Sequence, residues 1–334
     1  MKRIMILFLA VGMSAGVMAQ RIQYPNNLQD KKSYTLTEQT FKKQSSDMSK
    51  ADVFLYPSSF STCGHIDSTY IYRYSDSQTQ QPIPGFYVTG SNLADDRAYA
   101  QQYTRTQAIS VKGVGAVLAF MDNQYGNDNL TAKMYSASSV GIGNELASKS
   151  FTSSVLTDQQ IGEYQFMFTT PVSSSNFAVA LSVPGLEVDQ DNYVINNFVI
   201  IASTKINCAS GGKSYVFRAD QSGNYSWVKF SDALSGQDLD LFIFPIVDAT
   251  HGLTSVDVNE LSYVYPNPAK DEVIIASSIE MNKVEIYNMV GQKVYESNAG
   301  GISARVNVAN FNTGSYVAKI YTEAGIATKK IIVE

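Results

Sequence analysis

Thr69-Tyr70-Ile71-Tyr72-Arg73-Tyr74 places Tyr70, Tyr72 and Tyr74 on one face of an extended chain, and Glu163-Tyr164-Gln165-Phe166-Met167-Phe168 does the same with its aromatics. Successive side chains of a strand point to opposite faces, so a period of two marks half-buried β-structure. Outward from these stretches, further strand signals occur at 107–120, 131–136, 177–183, 193–201, 214–218 and 239–246. Turn clusters separate them: Pro82-Ile83-Pro84-Gly85, Tyr125-Gly126-Asn127-Asp128-Asn129, Pro184-Gly185, Gly211-Gly212 and Ser222-Gly223-Asn224. No long segment has helical periodicity with caps. The pattern predicts an all-β chain whose residues 51–248 form a large antiparallel β-sandwich of jelly-roll type.

The composition agrees. Charged residues are 16% of the 334-residue chain, against roughly 25% in ordinary soluble proteins. Tyr occurs 21 times, and aromatic residues pack well on a pleated surface. At the N-terminus, Lys2 and Arg3 precede an apolar run at 4–10, and Val17-Met18-Ala19 offers a small-x-small cleavage site. That run is too short to span a bilayer and reads as a signal peptide over 1–19. Export through the periplasm follows, with a destination outside the cell or on the outer surface. No Cys follows the cleavage site, which argues against a lipoprotein. Residues 20–50 read as a polar, partly extended leader. Removing Lys2 and Arg3 leaves 23 Lys+Arg against 30 Asp+Glu, a net of −7. Nucleic acid, which demands clustered Lys and Arg, is excluded as a partner. No second long apolar segment occurs, so the mature protein is expected not to span a membrane.

The two cysteines, Cys63 and Cys208, fall in an oxidising compartment after export. A Cys63–Cys208 bridge is expected, and closing so long a loop would contribute roughly 2–4 kcal/mol. Two separate thiols are the alternative.

After a polar linker at 249–259, residues 260–334 show their own strand rhythm at 272–276, 283–287, 292–296, 304–308, 315–321 and 326–333. Apolar and charged residues alternate in Lys283-Val284-Glu285-Ile286-Tyr287, and Asn288-Met289-Val290-Gly291 supplies a hairpin connection. The tail is expected to be an autonomous, small, Ig-like β-sandwich. Pro266 and Pro268 cannot donate backbone hydrogen bonds and punctuate its start. Gly314 permits a tight turn before the last hairpin.

Four blocks of this tail carry a family resemblance. They are Tyr265-Pro266-Asn267-Pro268-Ala269 with Asp271 and Val273-Ile274-Ile275, then Val284 to Asn288 with Gly291-Gln292-Lys293-Val294, then Gly314-Ser315-Tyr316-Val317-Ala318-Lys319-Ile320, and finally Lys329-Lys330-Ile331-Ile332-Val333. In this order they resemble the type A C-terminal sorting domain of the type IX (Por) secretion system of Bacteroidota. Phe311 departs from the Leu frequent in that family. The resemblance implies passage across the outer membrane by the type IX translocon. It also implies removal of the tail by a sortase-like peptidase, with the product anchored to lipopolysaccharide or released. The central region resembles, more loosely, jelly-roll adhesin and carbohydrate-binding modules, through Asn224-Tyr225-Ser226-Trp227 and the run Asp238 to Ile246.

Catalytic chemistry finds little support. His65 and His251 are the only histidines, too few for a zinc site without further ligands. No Gly-x-Ser-x-Gly elbow, His-Glu-x-x-His pair or phosphate-cradling Gly-rich loop occurs. The central region has only Glu145, Glu163 and Glu187, and no carboxylate pair stands out for glycoside hydrolysis. No cofactor is expected. Oxygen-rich loops admit a structural calcium, with Asp189, Asp191, Asp238 and Asp240 as candidate ligands, although solvated turns explain them as well. Aromatic contacts remain. Trp227 and Tyr225 beside a turn, and Tyr99 and Tyr103 flanking Asp95-Asp96, are candidates for stacking on a sugar or anchoring a protein; the bland reading of Trp227 is a core residue. The expected function is a secreted or surface, non-enzymatic binding protein for a glycan or protein ligand. The alternatives are a structural matrix component without a discrete ligand and, last, a secreted hydrolase.

Overall fold

The computed structural model describes residues 34–42, 52–57, 59–60, 68–76, 82–92, 94–121, 127–158, 160–185, 197–209, 211–248 and 258–334. The expected signal peptide, Cys63, Asp189, Asp191 and both histidines lie outside the described residues. The regular structure of the described residues is β, apart from helical residues at 59–60 and Phe230–Ala233 and 3-10 turns at Ser153–Val155 and Val258–Leu261.

Three sheets form. The first joins β1 (Tyr34–Lys42), β3 (Ser68–Asp76) and β4 (Pro82–Tyr87). Within the partly extended leader, residues 34–42 pair antiparallel with β3 along its full length. The second sheet has nine strands: β2 (Asp52–Phe54), β5 (Ala98–Met121), β6 (Asn129–Ser138), β7 (Gly141–Thr152), β8 (Gln160–Ser182), β9 (Phe198–Ile201), β10 (Ser214–Ala219), β11 (Tyr225–Lys229) and β12 (Ile243–Asp248). The third has five: β13 (Ser262–Tyr265), β14 (Glu272–Asn288), β15 (Lys293–Asn307), β16 (Gly314–Thr322) and β17 (Gly325–Val333).

The nine-stranded sheet is organised by its two longest strands. β5 and β8 pair from Ala98↔Ser182 to Phe120↔Gln160, with register shifts between Thr104 and Ile109 and between Val111 and Gly113. The sequence reading saw 163–168 and 177–183 as separate strands; both lie within β8. One end of β5 pairs with β10, the other with β12 and β9. The two long strands thus run through both layers of the sandwich, bending at the shifts. The side chains show why the shifts matter. Tyr99, Tyr103, Ile109 and Val111 belong to the main core cluster, and beyond the bulge so do Val114, Ala116, Leu118 and Phe120, whereas Ala100 and Val117 are buried in other clusters. The inward parity switches from odd to even. A one-residue slip flips every side chain to the other face, and here the bulge makes that flip where the strand changes layers. β8 does the same, with Phe166 and Phe168 inward on one side and Phe177, Val179 and Leu181 on the other. Gly115 is required at its position, because a Cβ there would lie 2.2 Å from the Phe54 ring.

The tail repeats the device on a smaller scale. β14 pairs with β13 and the end of β15 in its first half, and with β16 and the start of β15 in its second. Its register shifts between Ala276 and Met281 and again before Lys283. Stretches 272–276 and 283–287, expected as two strands, are therefore one bent strand. The result is the Ig-like unit expected. Among the described residues no strand of the tail sheet pairs with a strand of the nine-stranded sheet. Side chains do cross the seam: Tyr263, Tyr265 and Ala276 pack with Phe54, Phe60, Phe242 and Phe244 in one buried cluster. Tyr56 meets Tyr263 edge-on at 5.9 Å.

Candidate functional site

The tail motif residues converge on the last strand. Asn267, between two prolines with cis peptide bonds, donates from Nδ2 to the Lys330 carbonyl at 2.9 Å. It also accepts from the Ile332 amide at 2.8 Å. The Ala269 amide donates to the Ile332 carbonyl at 2.7 Å, and the Glu334 amide donates back to Ala269 at 2.9 Å. Because the prolines offer no N–H, the Asn267 side chain takes over the role of a ladder bond. The first and last blocks of the motif are thereby one physical element. Tyr265 is buried, and Asp271 is exposed while its carbonyl accepts from the Val308 amide. Gly291 closes the exposed hairpin at φ 82°, a conformation glycine adopts without steric cost. The Asn288 side chain there accepts from the amides of Val290 and Gln292. Gly314 takes φ 153°. Tyr316 donates to the Asn312 carbonyl at 2.7 Å and packs on Phe311. Lys329 and Lys330 alternate along β17: Lys330 is exposed, and Lys329 is half-buried and turned towards the central body.

The sequence reading missed Glu285. Its nearly buried carboxylate accepts from the hydroxyls of Tyr321 and Tyr287 at 2.6 and 2.7 Å and from Lys283 at 3.0 Å. Lys293 approaches at 3.3 Å. The two tyrosine hydroxyls, then the lysines, hold the Glu285 carboxyl well below the ordinary carboxylate range. Lys283 also lies over the Tyr321 ring at 4.4 Å. The alternation in β14 placed Glu285 on the polar face. Its partners on β16 and β15 could not be read from local sequence.

In the central body the aromatic candidates separate. Tyr99 and Tyr103 were expected to flank an acidic-polar loop with rings open to a ligand; both are buried in the body, and Tyr103 borders a cavity beside Tyr56 and Tyr263. Tyr99 donates towards Asp96 and the Gly90 carbonyl at 3.0 Å each, and Tyr103 donates to the Ile243 carbonyl at 2.9 Å. Asp96 is itself a buried anchor. It accepts two bonds from Arg218, at 2.6 and 2.8 Å, and one from Asn92 at 2.9 Å.

Tyr225 and Trp227, by contrast, sit on β11 at the sheet edge and extend into a chain of rings. Phe217 lies 5.5 Å from Tyr225 and 5.1 Å from Trp227, and Trp227 meets Tyr135 edge-on at 5.6 Å. β11 and β6 are four places apart in the order β11-β10-β5-β8-β6, about 19 Å on a flat sheet. Rings 5.6 Å apart therefore require a strongly curled sheet. Beneath the rings this face carries Ala100, Ala178 and Ala180, with the buried Tyr215 ring packed among them. Trp227, Phe217 and Tyr135 are half-buried, whereas Tyr225 is exposed. The Tyr225 hydroxyl donates to Asp95 and accepts from Arg97 at 3.3 Å, which fixes its ring. Tyr135 and Phe217 were within stretches read as strands, but only long-range pairing brings them together.

The two described candidate calcium ligands, Asp238 and Asp240, hold protein partners; Asp189 and Asp191 lie outside the described residues. Asp240 is buried and accepts from Gln101 at 2.8 Å and from Ser59. Asp238 accepts from the amides of Gly212 and Leu239 at 2.6 and 3.0 Å. Among the described residues no group of three or more His, Cys, Asp or Glu is placed to hold a metal. Cys208 lies beside Leu239, and no described cysteine is free.

Residues 263–334 match the family described as the secretion system C-terminal sorting domain. The tail is a type IX sorting domain, and it directs the chain to the cell surface or beyond. No helix among the described residues is long and apolar enough to cross a membrane. No curated protein matches the chain. Among solved structures, PorZ, a surface component of the type IX secretion system of Porphyromonas gingivalis, is similar at 14% identity and TM-score 0.22, over 60% of this chain and 32% of that one. A β-glucuronidase from Ruminococcus gnavus follows at 11% identity and TM-score 0.22, over 89% and 46%. One from Dictyoglomus thermophilum has 9% identity and TM-score 0.23, over 91% and 44%. The chain thus spans a third to under half the length of these structures, and likeness at that level carries no functional argument.

Proposed function

We propose that the chain is a non-enzymatic, surface-delivered binding protein whose central body presents the rings of Tyr225, Phe217, Trp227 and Tyr135 to a glycan. The ring chain on a concave sheet face carries this reading. Sugar rings offer apolar C–H faces that stack on aromatic side chains, and Asp95 and Arg97 stand beside Tyr225 to receive hydroxyls. The sorting tail would engage the type IX translocon, and a sortase-like peptidase would then release it. A Cys63–Cys208 bridge belongs to the same proposal. It is supported by two cysteines in an exported chain and by the absence of a free one among the described residues.

A glycan array probed with the exported protein, followed by titration of the strongest hit, tests the binding reading. Trp227→Ala and Tyr225→Ala should each weaken binding about tenfold or more, since one stacked ring is worth on the order of 1–2 kcal/mol. Unchanged affinity in both variants, or no glycan binding by the wild type, would overturn it.

A further inference from the structure

The four rings of the body form a row rather than a cluster. Their centroids step 5.5 Å from Tyr225 to Phe217, 5.1 Å from Phe217 to Trp227 and 5.6 Å from Trp227 to Tyr135. Each step is close to the length of one pyranose unit along a glycan chain. Tyr225 is exposed and the other three rings are half-buried, so all four keep surface for a ligand. The ring planes also turn along the row, by 29°, then 50°, then 73°. Stacking needs the sugar face parallel to the ring face. A flat ribbon that stacks on Phe217 leaves Trp227 tilted away, and one that stacks on Trp227 meets Tyr135 edge-on. A chain whose units turn can follow the row. Both ends of the row are tyrosines standing beside an ion pair. Tyr225 is held by Asp95 and Arg97, themselves 2.7 Å apart. Tyr135 stands beside Lys133, which holds Glu145 at 2.8 Å. Each pair is neutral as a unit. Between the ends, Phe217 offers no polar side-chain atom and Trp227 a single N–H.

We propose, resting on the glycan reading above, that the row binds an internal stretch of about three or four units of a neutral, helically turning, gluco-configured chain. A ring of that configuration carries its hydroxyls around the rim and leaves both faces as C–H, so successive units can present either face to rings that turn. The ion pairs at the two ends receive rim hydroxyls through charge-assisted hydrogen bonds. An acidic glycan would have to compete with Asp95 and Glu145 for Arg97 and Lys133, and so gains little from them.

The test titrates the full mature chain calorimetrically with glucose and with malto-, laminari- and cello-oligosaccharides from the disaccharide to the hexaose. Malto and laminari chains turn; a cello chain is close to a flat ribbon. At least one turning series should gain affinity up to the tetraose and then level off, its hexaose binding about tenfold or more tighter than its disaccharide. Cellohexaose should bind about tenfold more weakly than the better turning hexaose. Added salt should leave the affinity unchanged, because no net charge is matched. Tyr225→Ala, at an exposed ring, should lower hexaose affinity about tenfold and disaccharide affinity less, so that the plateau moves to a shorter chain. Equal affinity for disaccharide and hexaose in both turning series would refute the extended site while leaving a glycan function standing. Cellohexaose binding as tightly as the turning hexaoses would refute the helical fit. No binding of any of these glucans would refute the gluco-configured chain, and only an array without a single hit would take the glycan reading with it.

Discussion

The central body and the tail solve the same problem with different reach. Both are antiparallel sheets bent by register shifts in their longest strands, β5 and β8 in one and β14 in the other. The body is fixed by contacts across great sequence distance, as when Asp96 meets Arg218 and Gln101 meets Asp240. The tail is fixed within some seventy residues, with its opening motif tied to its last strand through Asn267. A unit that closes on itself in so short a span can be attached to many bodies. That is what an address requires. Among the described residues no strand of the body pairs with a strand of the tail, and at the seam Tyr263 and Tyr265 sit among phenylalanines of the body.

This difference can be broken experimentally, because Trp227 is the sole tryptophan and its fluorescence reports on the body alone. The largest effect is expected from Asp96→Ala. It leaves the Arg218 guanidinium without its bidentate partner, with a side chain only 28% exposed. Breaking a largely buried pair costs about 3 kcal/mol, and the urea midpoint of Trp227 fluorescence should fall accordingly. Asn267→Ala removes two hydrogen bonds that hold β17, a loss of about 2 kcal/mol. Hydrogen exchange in β17 should accelerate while the Trp227 transition stays in place. A joint shift of both signals would mean that body and tail melt as one unit.

The smallest effect is pH-dependent and sits in the tail. The carboxyl of Glu285 is held below its ordinary range, so its stabilisation is complete above the unfolded value of about 4.5. It is lost as pH falls through the folded value. Glu285→Gln should therefore speed exchange in β14 and β16 at pH 7, and the difference from wild type should shrink as the solution is acidified below about pH 4. A difference that grows in acid would contradict the network.

The same contrast explains what could be read from the sequence. The tail was legible because its cues are local: two prolines around Asn267, alternation in Lys283 to Tyr287, and Gly291 in a hairpin. The body was legible as β but not in its strand plan. The bends in β5 and β8 carry no strong turn chemistry, and Pro171 in β8 was passed over although it lies where the register shifts. Tyr99 and Tyr103 read as loop-side rings because Asp95-Asp96 is acidic. Their hydroxyls find buried acceptors that only the folded sheet supplies. Tyr135 and Phe217 entered the ring chain through curvature, which no local pattern encodes.

The most direct test of the account moves the tail to a foreign body. Residues 258–334 are fused to the C-terminus of an unrelated, signal-peptide-bearing carrier enzyme and expressed in a host with a type IX system, and carrier activity is assayed on intact cells and in the medium. The account predicts carrier activity outside the cell, abolished when the fused tail is omitted. A carrier that stays in the periplasm with the tail folded and attached would contradict it, and would place the export signal partly in the seam with the native body.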